Sequence, residues 1–117
     1  MTKQPSGLES DRRTNVRIPT QRSGKILCGA FAWDCLIRDL SSQGAKVQML
    51  SSAAPPAKVQ LVDLAAGLAH EVTVAWQRDR EVGMRITRTY DLRGLAPAAV
   101  GMAKRIWLAF QAEAPTG

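Results

Sequence analysis

Two short motifs contain the residues whose types and spacing could perform chemistry. Arg13 and Arg17 form an RxxxR pair, and it is the only such pair in the chain. Asp39, Ser41 and Gly44 form a DxSxxG element, which begins 22 residues after Arg17. Arginine binds anions through a fork of N–H donors, and an Asp or Ser beside a turn glycine can bond either backbone or ligand. Each motif alone is common, so the interpretation depends on their combination.

Few other residues could support catalysis or bind a metal. The chain has one histidine, His70, and two cysteines, Cys28 and Cys35, which are too few for a disulfide scaffold or for structural zinc spacing. No motif places a nucleophile near His70, for which we expect a position at a strand start. We therefore predict no catalytic residues, no metal site, no cofactor and no enzymatic activity. Both cysteines are expected to be buried thiols in a reducing cytosol.

The balance of charges favours an anionic partner. Sixteen Lys and Arg residues against ten Asp and Glu residues give a net charge of +6, which suits nucleic acid, a nucleotide or a membrane surface. With 117 residues, 45% of them hydrophobic and 22% charged, the chain should form one packed domain. No stretch of about 18 apolar residues could span a bilayer, and residues 1–10 are too polar for a signal peptide. We predict a cytoplasmic protein without membrane insertion.

Alternation of apolar and polar residues predicts six short strands around the motifs. Residues 25–39 are rich in strand-forming side chains and are interrupted near Gly29, which predicts a β-hairpin that ends at the DxSxxG element. A period of two predicts four more strands, at residues 45–50, 59–64, 71–77 and 82–87. Trp76 belongs to the apolar set of the fifth strand, so we expect it in the core. Six antiparallel strands favour a small closed barrel, because closure removes exposed edges.

The period then changes to that of a helix. Val100, Ala103, Ile106, Trp107 and Phe110 recur at spacings of three and four, which predicts an amphipathic helix over residues 97–113. Its apolar stripe should pack on the barrel or on another protein. The expected organisation is a flexible leader, a barrel domain, and a C-terminal helix with its tail, at residues 1–10, 11–92 and 93–117.

The order of the two motifs, the hairpin between them and the all-β remainder resemble the PilZ domain family. The segment VGMRI at residues 82–86 is similar to the last strand of that family, and the resemblance covers roughly residues 11–89. It implies an all-β fold, a six-stranded antiparallel PilZ-type β-barrel, and the C-terminal α-helix predicted here goes beyond the minimal barrel of the family. It also implies binding of the bacterial second messenger cyclic di-GMP, which carries two phosphodiester charges and two guanines.

The resemblance assigns a role to each motif residue. Arg13 and Arg17 would bind phosphate oxygens or guanine, and Arg12 is an additional candidate for contact with a second, stacked ligand molecule. Asp39 would accept hydrogen bonds from guanine N1 and N2. Two further roles complete the expected site: Ser41 donates to a phosphate or braces the turn, and Gly44 keeps the surface low enough for a base to approach.

The function implied is that of a receptor without catalysis. The chain would change its contacts with an unidentified protein effector in motility, adhesion, polysaccharide or cell-cycle control. Two alternatives stay open: a degenerate PilZ-fold scaffold without ligand, and a basic β-barrel that binds single-stranded nucleic acid. The second alternative is disfavoured, because such proteins use rows of aromatic stacking residues and this chain has only six aromatic residues.

Overall fold

The computed structural model describes residues 18–113, which form six β-strands followed by one α-helix. The strands are β1 (Ile18–Cys28), β2 (Phe31–Leu40), β3 (Gly44–Met49), β4 (Lys58–Asp63), β5 (Leu68–Arg78) and β6 (Glu81–Asp91). A 3₁₀ turn, Ala98–Val100, leads into the helix α1, Gly101–Glu113. The predicted strands and helix are confirmed. Several strands extend beyond the segments that showed clear alternation.

The six strands close into one antiparallel barrel. Their order around the barrel is β1-β2-β3-β6-β5-β4, and each neighbouring pair is antiparallel. The barrel closes where β1 pairs with β4, from Gly24 opposite Asp63 to Leu27 opposite Gln60. Closure removes the free edges that promote strand-to-strand aggregation. The predicted six-stranded all-β barrel is therefore confirmed.

The barrel interior is filled by aliphatic side chains from every strand. One side chain of each alternating pair points inward, and the inward set is almost completely buried. This interior cluster includes Ile26, Ile37, Val47, Leu61, Val72 and Val82. Burial of this apolar surface stabilises the barrel at about 25 cal/mol per Å².

The helix α1 packs on the outside of the barrel. Ala103 is fully buried against a second cluster that contains Leu27, Val62 and Ala69 from strands β1, β4 and β5. Ile106, Trp107 and Phe110 are half-buried against the same cluster. Of the two partners considered for the apolar stripe, the barrel is the one observed. Strand β4 lies under the helix, and two strands separate β4 from β3 in either direction around the barrel.

The predicted burial of the two cysteines is confirmed for one of them only. Cys35 is buried as expected, whereas Cys28 is only half-buried. In the hairpin register Cys35 lies opposite Gly24 and Cys28 lies opposite Phe31, so the two thiols do not face each other. Burial raises the pKa of Cys35 to about 12, and the nearby Asp34 adds to this increase.

Within residues 18–113, no helix has the length and apolar character needed to cross a bilayer.

Candidate ligand-binding flank

The DxSxxG element forms the tight connection between β2 and β3. The backbone N–H of Ser41 donates to the carbonyl oxygen of Gly44 at 2.9 Å. The Ser41 hydroxyl oxygen accepts from the N–H groups of Gly44 at 3.1 Å and Gln43 at 3.3 Å. The same hydroxyl donates to the Gly44 carbonyl at 3.3 Å. Ser41 therefore braces the turn with both its acceptor and its donor capacity.

Asp39 lies on the outer face of the barrel beside this turn. A register shift between Ile37 and Asp39 inserts one extra residue into β2, and such a bulge changes the side to which the next side chain points. The Asp39 carboxylate forms an ion pair with Lys46 on β3, with 3.3 Å between Oδ2 and Nζ. A carboxylate can also accept hydrogen bonds from the donors of a ligand.

Three of the predicted site residues, Arg12, Arg13 and Arg17, lie outside the described residues. The register of β1 nevertheless constrains where this segment joins the barrel. Ile18, the residue after Arg17, lies opposite Leu40, and Pro19 lies opposite Asp39. The first described residues of the chain therefore run directly beside the DxSxxG element.

A hollow of about 260 Å³ opens beside the turn. It is lined by Ser41, Gln43, Gly44, Ala75, Trp76, Met84 and Arg85. Gly44 begins β3 and lies opposite Arg85 on β6. The outer faces of β3, β5 and β6 thus complete a concave surface that starts at the predicted motif.

Trp76 forms one wall of this hollow, and its predicted place in the core is wrong. Its side chain is 44% exposed. A register shift between Val74 and Trp76 places Trp76 opposite Gly83, and this bulge turns the indole outward. The indole lies over Gly83 so closely that a Cβ atom there would be 2.1 Å from Trp76 Nε1. The absence of a side chain at Gly83 therefore provides the space that the exposed indole ring of Trp76 occupies.

The family of the chain follows from its sequence and agrees with this geometry. The family model of the PilZ domain matches residues 11–94. The chain belongs to the PilZ family. The match includes both motifs and all six strands, and PilZ domains are cyclic di-GMP receptors that are generally not enzymes. No curated protein is significantly similar to this chain.

Arg85 is a second residue of the flank that the sequence did not assign to the site. It is exposed on the outer face of the PilZ barrel, opposite both Gly44 and Thr73, and its side chain has no ion pair or hydrogen bond with residues 22–113. Alternation along β6 places Arg85 on the face opposite the buried Met84, so its outward direction was predictable. Its position beside the turn was not, because that depends on the pairing of β6 with β3.

A buried polar cluster occupies the end of the PilZ barrel near the start of β1. Asp63 is fully buried and forms an ion pair with Arg22, with 2.7 Å between Oδ2 and Nη2. His70 is also buried and bonds through Nδ1 to Thr89 Oγ1 at 2.8 Å. Burial lowers the pKa of His70, Asp63 opposes this shift and Arg22 adds to it. His70 is the third residue of β5, as expected, and no metal-binding group occurs among residues 18–113.

A larger groove lies on the other flank of the barrel. Its volume is about 580 Å³, and it lies between β4, β5 and the 3₁₀ turn. Its polar lining includes Lys58, Gln60 and Glu71, and Gln60 donates to the carbonyl of Ala99 at 2.9 Å. None of the DxSxxG residues lines this groove. The smaller hollow is therefore the candidate site, because residues of the DxSxxG element line it.

Proposed function

We propose that this PilZ chain binds cyclic di-GMP on the outer flank formed by β2, β3, β5 and β6. The observation that carries the proposal is the register of β1 against β2. Because Pro19 lies opposite Asp39 and Ile18 lies opposite Leu40, the chain that follows Arg17 runs along the DxSxxG element. The two motifs, which are 22 residues apart in sequence, can therefore act on one ligand.

The chemistry of the flank suits each part of this ligand. Arg13 and Arg17 would supply cations for the phosphodiesters or forks for guanine, with Arg12 as an additional contact. The carboxylate of Asp39 would accept from guanine N1 and N2.

The shape of the flank suits a flat ligand. Asp39, Lys46, Gly83 and Trp76 lie in one row across β2, β3, β6 and β5, and Gly83 leaves room for the Trp76 indole. The exposed indole of Trp76 offers a flat apolar face at the far edge, and aromatic faces of this kind stack on bases. The flank thus combines an anion-binding side with a base-binding side.

The output of such a receptor would be a changed protein surface. With no described catalytic group, the chain would act by holding Arg13 and Arg17 against the flank once the ligand is bound. A protein effector that contacts this flank would then meet a different arrangement of charge. We propose this role for the chain in the cytoplasm, as the sequence predicts.

Calorimetric titration of the full chain with cyclic di-GMP tests the proposal. We expect Arg13→Ala and Arg17→Ala to abolish measurable binding and Asp39→Ala to weaken it by about 1–3 kcal/mol. The matched controls are Arg105→Ala on α1 and Asp34→Ala, an aspartate of the same strand that pairs with Lys25. Both controls should bind like the wild type. Circular dichroism should show that every variant keeps its fold.

Three results would contradict the proposal in different ways. A wild type that releases no heat with cyclic di-GMP would indicate the ligand-free scaffold. Tight binding of a single-stranded oligonucleotide, with the steep salt dependence of many phosphate contacts, would indicate the nucleic-acid alternative. Unfolding of the Arg13 or Arg17 variant would show that these residues are structural.

A further inference from the structure

The two donors of Ser41 in the DxSxxG turn are already used within the turn. Both described hydrogen bonds that the Ser41 hydroxyl accepts come from backbone N–H groups of the turn, those of Gln43 and Gly44. The Ser41 hydroxyl hydrogen points to the Gly44 carbonyl. A phosphate near this turn would have to break these bonds to receive a donor from Ser41. An anion bound here would therefore take its donors from residues other than Ser41.

Lys46 is the first cation near the turn, and it is already paired. Its amino group is 3.3 Å from Asp39 Oδ2, and Lys46 lies opposite Asp39 in the strand register. Withdrawing this charge toward a phosphate would leave Asp39 without its counter-ion on a partly buried surface, which is unfavourable. Lys46 therefore positions the carboxylate for guanine rather than serving a phosphate.

Arg85 is the cation that lines the hollow with its charge unpaired. It lies directly opposite Gly44 on β3, and the next N–H along β6, that of Ile86, donates to the Gln43 carbonyl at 2.8 Å. This hydrogen bond fixes the backbone at Arg85 relative to the turn. Because Arg85 is exposed and lines the hollow together with Ser41 and Gly44, its guanidinium can reach an anion bound there. Among residues 18–113 it makes no ion pair that a ligand would have to displace.

We propose that Arg85 binds a phosphate of cyclic di-GMP from the β6 side of the flank, an inference that rests on the proposed function. The ligand is a ring with two phosphodiesters on opposite edges, so cations on only one side of the site would leave one charge unmatched. The chain that follows Arg17 joins the barrel at β1, whereas Arg85 lies on β6, and β2 and β3 lie between these two strands. Charge-assisted hydrogen bonds of this kind are stronger than neutral ones.

Titration of Arg85→Ala and Arg85→Lys against cyclic di-GMP tests this inference. We expect about a tenfold loss of affinity in Arg85→Ala, the scale of one hydrogen bond to a charged group, and a weaker dependence of affinity on salt. Arg85→Lys should keep most of the affinity, because a lysine serves a phosphate as a point charge. The control is Arg88→Ala on the same strand, since Arg88 bonds to the Tyr90 hydroxyl at 3.3 Å and does not line the hollow.

The outcomes separate this inference from the proposed function. Binding by Arg85→Ala equal to that of the wild type, with Arg17→Ala inactive, would overturn the role of Arg85 and leave the proposed function standing. Equal losses in Arg85→Ala and Arg85→Lys would overturn the assignment to phosphate, because lysine cannot replace a bidentate contact to guanine. No binding by the wild type would refute both proposals. The Arg85 side chain makes no hydrogen bond or ion pair with residues 22–113, so the Arg85 variants should retain the wild-type melting temperature.

Discussion

At the scale of single residues, His70 is the only histidine and makes the stability of the barrel sensitive to pH. Its imidazole is buried, Nδ1 is bonded to Thr89, and Nε2 has no partner in the described part of the chain. Burial lowers its pKa, with Asp63 opposing and Arg22 reinforcing the shift. The folded state therefore holds His70 neutral at a pH where the unfolded chain already binds a proton.

We expect the free energy of unfolding to fall as the pH is lowered from about 7.5 to 5. Below the unfolded pKa of about 6.5 the unfolded state gains a proton that the folded state does not, and stability is lost by at most about 1.4 kcal/mol per pH unit. Urea unfolding at several pH values measures this slope. His70→Gln should remove this contribution, and an identical pH profile in wild type and variant would contradict the assignment.

Residues also show how the predicted roles were refined. The resemblance left Ser41 with two roles, and its hydrogen bonds support the one in which it braces the turn. Asp39 lies near the end of β2. The alternation that buries Cys35 and Ile37 would bury Asp39 as well if it continued without interruption. Its ion pair with Lys46 depends on a bulge that no single-strand pattern reveals.

At the scale of elements, the connection between β4 and β5 depends on Gly67. Its backbone has a φ of +70°, which is unfavourable for residues with a side chain. Its N–H donates to the Asp63 carbonyl at 2.9 Å, and its carbonyl accepts from Leu92 N–H at 2.8 Å. An added Cβ would also lie 3.2 Å from two carbons of the Trp107 indole. Gly67 thus joins the turn, the end of β6 and the helix.

Gly67→Ala should lower the free energy of unfolding by about 1–3 kcal/mol, the range for a residue forced into a left-handed conformation. The matched control is Gly94→Ala, because a Cβ at Gly94 would have no neighbour within 4 Å. The control should change stability by less than about 0.5 kcal/mol. Urea denaturation of both variants measures the difference, and equal stabilities would show that the contact with Trp107 and the φ angle do not matter.

At the scale of the whole molecule, the barrel closes through a short pairing of β1 with β4. Beyond the backbone ladder from Gly24 to Leu27, the pair of Arg22 and Asp63 links the same two strands. Asp63 is fully buried, whereas the Arg22 side chain is 35% exposed. Although the ion pair is 2.7 Å long, Arg22 Nε and Asp63 Oδ2 lack hydrogen-bond geometry. The contact is therefore mainly a charge pair.

This asymmetry predicts unequal effects of removing the two charges. Arg22→Ala should destabilise the protein by about 3 kcal/mol, because it leaves a buried carboxylate unpaired. Asp63→Asn should cost about 1 kcal/mol, since Asn can still accept from Ala66 N–H as Asp63 Oδ1 does at 3.1 Å and Arg22 can extend to solvent. The double variant should cost less than the sum. Chemical denaturation of the three variants measures the coupling, and additive effects would rule it out.

The sequence by itself determined the strands, the barrel class, the helix and its apolar stripe, because alternation and helical periodicity are local properties of the chain. It also identified the DxSxxG turn and the family. Tertiary structure alone decided the rest. The bulges at Asp39 and Trp76 depend on the partner strand, so the outward direction of both residues could not be read from one strand. Arg85 lies opposite Gly44, and Arg22 forms an ion pair with Asp63. In each case the two residues belong to strands that are distant in sequence, and only the pairing of strands in the closed barrel brings them together.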